Sequence, residues 1–379
     1  MALREQQQSP LLDHCPQSLP AHVYYDPDWY QREVKKIWAR NWIYVGRLND
    51  LAPGSLRRIT VAGDSLLLCR TAEGQVAAYH NTCRHRGAEL CSEETRALGK
   101  LISCPYHAWS YAADNGRLVS VGAAVPTDDF KRAEHGLFPV LVSEWNGFLY
   151  VCLSDEPPEF RTDTKLSVLD NWPMGSLITG YRSERDLACN WKVFWENYNE
   201  CLHCPGVHPE LCDLVPIYSK GIMSRPEASH ERQLENLPTT PLKEGAKSWT
   251  ADGRPCGPEF ERLTDEERAR AYTFVTLLPT QYIVAHVDYV RSVSITPTGP
   301  ETMRLTAEWL FSPETLAEPG FKAETVAAFA QLVMDQDGAV AEINQRGLRS
   351  SKFETGRLMP QEFDIRSLHQ WILGQMEAA

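Results

Sequence analysis

The chain has 379 residues, a formal charge of −12 and a 43% hydrophobic share, enough for one large or two ordinary domains with a sizeable core. This composition excludes a disordered chain, and the acidic balance without any Lys/Arg run excludes a sequence-independent nucleic-acid binder, which needs a basic face. No stretch approaches eighteen consecutive apolar residues, and the start "MALREQQQSP" lacks the apolar segment of a signal peptide, so the expected compartment is the cytoplasm. The eleven cysteines, an odd count with no export signal, are expected to be mostly reduced, buried or metal-bound.

In chain order, "DPDWYQREVKKIWARNW" places Tyr30, Val34, Ile37 and Trp38 at helical spacing after an Asp/Pro entry and predicts an amphipathic helix. From about residue 42 to 155, short apolar runs such as "WIYVGRL", "SLLLCRT" and "FPVLVSEWNGFLYVCLS" alternate with turn residues and predict a compact all-β unit. The polar "DEPPEFRTDTK" reads as a linker. Beyond it the pattern predicts a helix from Trp191 through His203, and a long loop or lid over residues 220–265. Strands follow around "YTFVTLL", "QYIVAHVDYVRSVSIT" and "MRLTAEWLF", then helices at about 322–346 and 361–376. Strands followed by helices, without βαβ alternation, indicate an α+β domain with an antiparallel sheet.

Two groups of residues carry chemistry. Cys83-Arg84-His85 and Cys104-Pro105-Tyr106-His107, with eighteen intervening residues, present two Cys/His pairs from two loops. Thiolates suit one iron of a [2Fe–2S] cluster and imidazoles the other, the Rieske arrangement. The rival is a structural zinc site, disfavoured by the single-residue spacing of the first pair.

The second group is "ENYNECLHCPGVHP" at 196–209. Glu200 and His203, three apart, are expected to share a helix face extended by Asn199 and Glu196. His208 would lie about 140° further round an ideal helix, so it joins His203 on one ion only because Pro205-Gly206 breaks the helix. Two histidines and one carboxylate with open positions are what a non-haem Fe(II) oxygenase uses. Of the carboxylates on the late helix, Asp335 lies on a mixed face, whereas Asp337 has Val333, Met334, Val340 and Ala341 as helical neighbours. A carboxylate on such a stripe demands a metal ion or a buried Arg partner. Cys201-x-x-Cys204 fits a redox pair, half a zinc site or simple packing, and the last is expected because the pair interleaves with a candidate metal ligand. Glu200-x-x-His203 has an echo in Glu227-x-x-His230, the pattern of a di-iron bundle, although no apolar stripe surrounds the second copy.

"CRHRGAEL" and "CPYHAWSY" resemble the Rieske domain of Rieske non-haem iron oxygenases, the terminal α-subunits of ring-hydroxylating and N-demethylating systems. The likeness continues through "NWKVFWENYNECLHC", "SWTADGRPC", "AHVDYV" and "DGAVAEINQRGLRSSKFETGRLMPQEF". It implies an N-terminal segment, 1–41, packing on the catalytic domain. A Rieske domain, 42–158, would hold a [2Fe–2S] cluster through Cys83, His85, Cys104 and His107. An α+β catalytic domain of helix-grip type, 159–379, would hold a mononuclear non-haem Fe(II) through His203, His208 and Asp337. In the family that Asp stands some eight residues before a Gln-Arg-Gly segment, which here begins at Gln345. Glu200 occupies the position of a carboxylate that hydrogen-bonds a metal histidine and, across a subunit boundary, a Rieske histidine of the neighbouring chain; most members have Asp there.

With no nucleotide or flavin motif visible, the resemblance also implies an NAD(P)H-dependent flavin/[2Fe–2S] reductase and a head-to-tail homotrimer. The family members most alike are choline, carnitine and glycine betaine oxygenases. The expected reaction is therefore dioxygen-dependent hydroxylation or oxidative N-demethylation of a quaternary ammonium compound such as a betaine. Trp249, Phe274, Tyr282 and Tyr289 are candidates for an aromatic cage. The alternative is an aromatic ring-hydroxylating dioxygenase α-subunit. Outside the enzymes stand an electron-carrying Rieske protein, with no iron beyond the cluster, and a zinc-stabilised binding module.

Overall fold

Short alternating runs build the first of two compact units, Val34–Phe160. The structure, a computed structural model, describes residues 11–160, 166–223 and 240–378. The first unit contains β1 (Ile43–Arg47), β2 (Ser55–Val61), β3 (Asp64–Arg70), β4 (Val76–His80), β5 (Thr95–Ala97), β6 (Leu101–Ser103), β7 (Trp109–Ala112), β8 (Leu118–Val121), β9 (Pro139–Trp145) and β10 (Phe148–Cys152). Seven of them form an antiparallel sheet in the order β1-β10-β9-β4-β3-β2-β5, and β6-β7-β8 form a second, smaller one. Leu56, Leu67, Tyr79, Ile102, Tyr111 and Leu118 meet in its core. The β9–β10 hairpin turns on Asn146-Gly147, both at positive φ, with Trp145 paired to Phe148. This is the primed two-residue turn whose twist matches that of the strands.

The second unit comprises the N-terminal stretch to Glu33 and everything from Arg161 onward. Its sheet is antiparallel with the order β11-β15-β14-β13-β12, where β11 is Ile178–Leu187, β12 Tyr272–Leu277, β13 Gln281–His286, β14 Val290–Gly299 and β15 Thr302–Phe311. The run "QYIVAHVDYVRSVSIT" is thus a hairpin of two strands. Strand β11 was not expected, because its burial alternates only weakly along a charged sequence, "ITGYRSERDL". The described helices are α1 (Pro27–Glu33), α2 (Trp191–Tyr198), α3 (Cys204–Val207), α4 (Pro209–Leu214), α5 (Asp265–Arg270), α6 (Pro313–Ala317), α7 (Ala323–Leu348) and α8 (Phe363–Glu377).

Helix α7 packs on β11 and α2. Gly338 permits the approach, since a Cβ there would come within 2.8 Å of Leu187 Cδ2. The N-terminal stretch lies along the C-terminal end of the same unit, through Leu12 N–H to Pro360 O at 2.9 Å and Ala21 N–H to Glu354 O at 2.8 Å. It also reaches α2. Glu33 and Lys192, both fully buried, pair at 2.7 Å, and Trp191 Nε1 donates to the other carboxylate oxygen at 2.9 Å.

The predicted helix 191–203 stops at Tyr198. Asn199 Nδ2 bonds Trp195 O at 2.8 Å, and a Glu200 carboxylate oxygen takes the backbone N–H groups of Leu202 and His203. These side chains offer the backbone an alternative to the helical ladder. Of the predicted loop 220–265, residues 240–264 contain neither helix nor strand. Positions 224–239, including Glu227 and His230, lie outside the described residues.

Candidate metal centres

In the first unit, Cys83 and His85 stand on the loop after β4, and Cys104 and His107 on the turn between β6 and β7. The loops are pinned in similar ways, with Cys83 N–H to Ala88 O at 2.8 Å and Cys104 N–H to Trp109 O at 2.8 Å. A third loop supports the second: Gly122, at φ +65°, approaches so closely that a Cβ would lie 2.4 Å from His107 O. The two cysteines are buried and His85 is exposed. The imidazole rings meet edge to face with centroids 4.7 Å apart, and His85 stacks on Trp109 at 4.8 Å. Burial raises the Cys83 thiol, with the nearby Cys104 thiol adding to it and the Tyr111 hydroxyl, 3.1 Å from Cys83 Sγ, opposing it.

In the second unit, His203, His208 and Asp337 are, among the described residues, the one set of three donors whose ligand atoms all lie within 4.8 Å of each other. His203 sits at the entry to α3, His208 between α3 and α4, and Asp337 in the middle of α7. Asp337 Oδ1 is 2.8 Å from His208 Nε2 and 3.3 Å from His203 Nε2. Each ring is oriented from its far side. Glu200 Oε1 accepts from His203 Nδ1 at 2.5 Å, and Gln336 Oε1 accepts from His208 Nδ1 at 2.7 Å. Each Nε2 thereby faces the carboxylate and is the nitrogen left to bind a metal ion.

Burial lowers the His203 imidazole, but the Asp337 and Glu200 carboxylates outweigh it and push it up to about 9. Burial raises Asp337, and hydrogen bonds from His203 and His208 overcome it, holding the carboxyl below its usual range. A metal ion placed between the three donors would displace the protons that now link them. Asp335 is differently engaged, paired with Arg185 at 2.6 Å.

Beside these donors opens a cavity of about 80 Å³. Tyr198, Trp249, Tyr272, Phe274 and Tyr282 line it together with Arg291, while Glu200 and Asp337 form the metal-side wall. Tyr198 stacks on Tyr282 at 3.9 Å between ring centroids.

Two family models match the chain, "Rieske [2Fe-2S] domain" over residues 41–131 and "Ring hydroxylating alpha subunit (catalytic domain)" over 174–378. The glycine betaine monooxygenase oxygenase subunit of Chromohalobacter salexigens is 31% identical over 89% of this chain and 81% of its own length. The chain belongs to the Rieske ring-hydroxylating α-subunit family. Its fold is also that of the quaternary ammonium Rieske monooxygenase CntA in complex with L-carnitine, TM-score 0.72 at 18% identity over 96% of both chains. Naphthalene 1,2-dioxygenase from Rhodococcus sp. matches with TM-score 0.71 at 18% identity over 96% of this chain and 95% of that one.

As a Rieske oxygenase α-subunit, the protein carries a [2Fe–2S] cluster and a mononuclear non-haem iron, and takes its electrons from a reductase. The residues present fit both groups. A single zinc ion would gather its four donors to within about 4 Å of one another, given Zn–ligand bonds of roughly 2.0–2.3 Å. The Cys83, His85, Cys104 and His107 donors do not converge in this way, not even three of them. Two thiols buried together and two imidazoles at the surface suit a two-iron cluster instead. The set of two imidazoles and a carboxylate, with an open cavity beside it, suits ferrous iron that must also admit dioxygen.

Three expectations are corrected. Cys201 and Cys204, read as packing residues, form a disulfide. Glu200 meets His203 through a turn, not along a helix face, and Glu196 points away, accepting from His369 Nε2 at 2.8 Å and from Tyr24 Oη at 2.5 Å. Tyr289 does not line the cavity; it is buried, donating to Trp249 O at 2.9 Å. Gln336, Tyr198 and Arg291 were missed. Nothing in the sequence pattern separates Gln336 from other helical glutamines, whereas Arg291 inside the apolar run "AHVDYVRSVSI" was a visible signal.

Proposed function

We propose that this α-subunit hydroxylates an N-methyl carbon of a small quaternary ammonium compound, the product collapsing to the demethylated amine and formaldehyde. The observation that carries this reading is the cavity lined by aromatic side chains together with the carboxylates of Glu200 and Asp337. Aromatic faces attract a quaternary ammonium through their quadrupoles without hydrogen bonds, which such a cation cannot donate. The oxygenase subunits and monooxygenase similar to this chain act on glycine betaine and carnitine by name.

The cluster would be held by Cys83, His85, Cys104 and His107, and the lone iron by His203, His208 and Asp337. The bound metals supply one-electron delivery and dioxygen activation. The chain's own residues do the remaining work. Tyr198, Tyr282 and Trp249 would hold the ammonium with one methyl toward the metal ligands. Glu200 keeps the proton on His203 Nδ1, so that Nε2 stays a donor. The buried Val333 and Met334 keep water from that side of the cavity.

The electron source would be a flavin/[2Fe–2S] reductase drawing on NAD(P)H. A head-to-tail homotrimer would bring the exposed His85 edge of one subunit to Glu200 of the next. Incubating the reconstituted system with glycine betaine and measuring formaldehyde against NAD(P)H consumed tests the reading. One formaldehyde per NAD(P)H is expected. The runner-up has the same aromatic walls in its favour, since they also accept a planar ring; a cis-diol from an arene with no formaldehyde from any quaternary amine would establish it instead.

A further inference from the structure

Arg291 is 6% exposed and lines the cavity. It stands on β14 opposite Val284 of β13, which is in turn opposite Phe274 of β12, so all three belong to one row across the sheet face that forms the aromatic wall. Its Nε is buried without a hydrogen-bond partner, and among the described residues no side-chain hydrogen bond or ion pair engages the guanidinium. Four more exposed arginines of the same unit contrast with it. Arg185 pairs with Asp335, Arg268 with Glu259, Arg304 with Asp186 and Arg349 with Glu301.

The titratable groups that feel its charge are Tyr198, Tyr218, Tyr282, Tyr289 and His286. All are neutral near pH 7: burial raises the four phenols, and burial together with Arg291 holds His286 well below its usual value. Glu200 and Asp337 line the same cavity, but they are engaged by His203 and His208 and neither pairs with the guanidinium. A guanidinium that never deprotonates, removed from water and left unpaired, is strongly unfavourable unless an anion completes it. The cavity is where an anion can reach it.

Building on the quaternary ammonium reading, we propose that Arg291 binds a carboxylate of the substrate, so that the cavity selects a zwitterionic trimethylammonium carboxylate over the corresponding alcohol. The cavity lining carries aromatic rings and metal-side carboxylates for the cation, and Arg291 in the same lining supplies the planar fork that matches a carboxylate. Arg291 is a specificity-determining residue in this scheme and takes no part in the oxidation.

The test is anaerobic calorimetry on the metal-loaded enzyme with two matched pairs, glycine betaine against choline and benzoate against benzyl alcohol. Glycine betaine is expected to bind on the order of 10- to 100-fold more tightly than choline, the range for a charge-assisted hydrogen bond pair. Arg291→Gln should reduce that preference to within about threefold, with Arg291→Lys intermediate, since a point charge replaces only part of the fork. Choline binding should be nearly unchanged in both variants, which also shows that they are folded. Wild-type enzyme that binds choline as tightly as glycine betaine overturns the assignment without using any variant. Formaldehyde released equally from both would then leave the quaternary ammonium reading standing alone. If neither amine binds but benzoate is preferred over benzyl alcohol and Arg291→Gln abolishes that preference, carboxylate recognition survives and the quaternary ammonium reading fails.

Discussion

Replacing Glu200 by Ala isolates the contribution of one carboxylate to iron binding. Its Oε1 accepts from His203 Nδ1 at 2.5 Å, with side chains 11% and 18% exposed, so solvent screens the contact little. The bond fixes the tautomer in which Nε2 is the free donor, and it makes the ring a stronger base. The other oxygen holds the turn through the Leu202 and His203 N–H groups, which Ala would leave without acceptors. Loss of such an orienting partner weakens metal binding by about 10- to 100-fold, roughly 1.4–2.7 kcal/mol. Glu200→Gln keeps an acceptor at the same reach and loses only the charge, so its effect should fall near the lower end, about tenfold or less. Fe(II) affinity read by anaerobic chelator competition, with the visible absorption of the cluster as internal standard, separates the cases. Glu200→Ala holding ferrous iron as tightly as wild type, with the cluster intact, would refute the reasoning.

Three further outcomes follow from named contacts. Gly122→Ala places a Cβ against His107 O at a left-handed backbone position, so it should cost the protein its cluster while iron at the other centre is retained, as iron and acid-labile sulfide analysis would show. Glu33→Gln leaves the buried Lys192 ammonium without its counter-charge and should destabilise the catalytic unit by about 3–5 kcal/mol in chemical denaturation; the Glu33→Gln, Lys192→Met double variant should recover much of that. His286 is held neutral in the fold, while the unfolded chain takes up a proton below its ordinary value of 6.5. Stability should therefore fall as pH drops below about 6.5, by up to about 1.4 kcal/mol per pH unit from this residue, and His286→Phe should flatten that share of the slope.

Much of the site was legible because metal donors of two kinds at short spacings are rare by chance, as in Cys83-x-His85 and Cys104-x-x-His107, and because Asp337 interrupts an apolar helical stripe. The strands around residues 272–311 were readable from their β-branched and aromatic content, whereas the 145–148 hairpin was passed over although Asn146-Gly147 signals it. What stayed hidden depended on side chains reaching beyond their own element. Helix α2 ends early because Glu200 captures backbone N–H groups, which helical periodicity does not encode. The Cys201–Cys204 disulfide stayed hidden because a pair interleaved with a metal histidine reads as packing. Strand β11 is half exposed and charged, so its pairing with β15, and not its own pattern, makes it a strand. Gln336 acts through its distance to His208, 128 positions earlier in the chain.

On this reading His203, His208 and Asp337 hold an iron that is separate from the cluster and needed for oxygenation. This is tested most directly by metal analysis and electron paramagnetic resonance on Asp337→Ala, as purified and after anaerobic Fe(II) addition. An intact reduced-Rieske signal, iron lowered by one equivalent per chain, and no formaldehyde from glycine betaine are expected. An Asp337→Ala protein that keeps that extra iron and full turnover would contradict this reading.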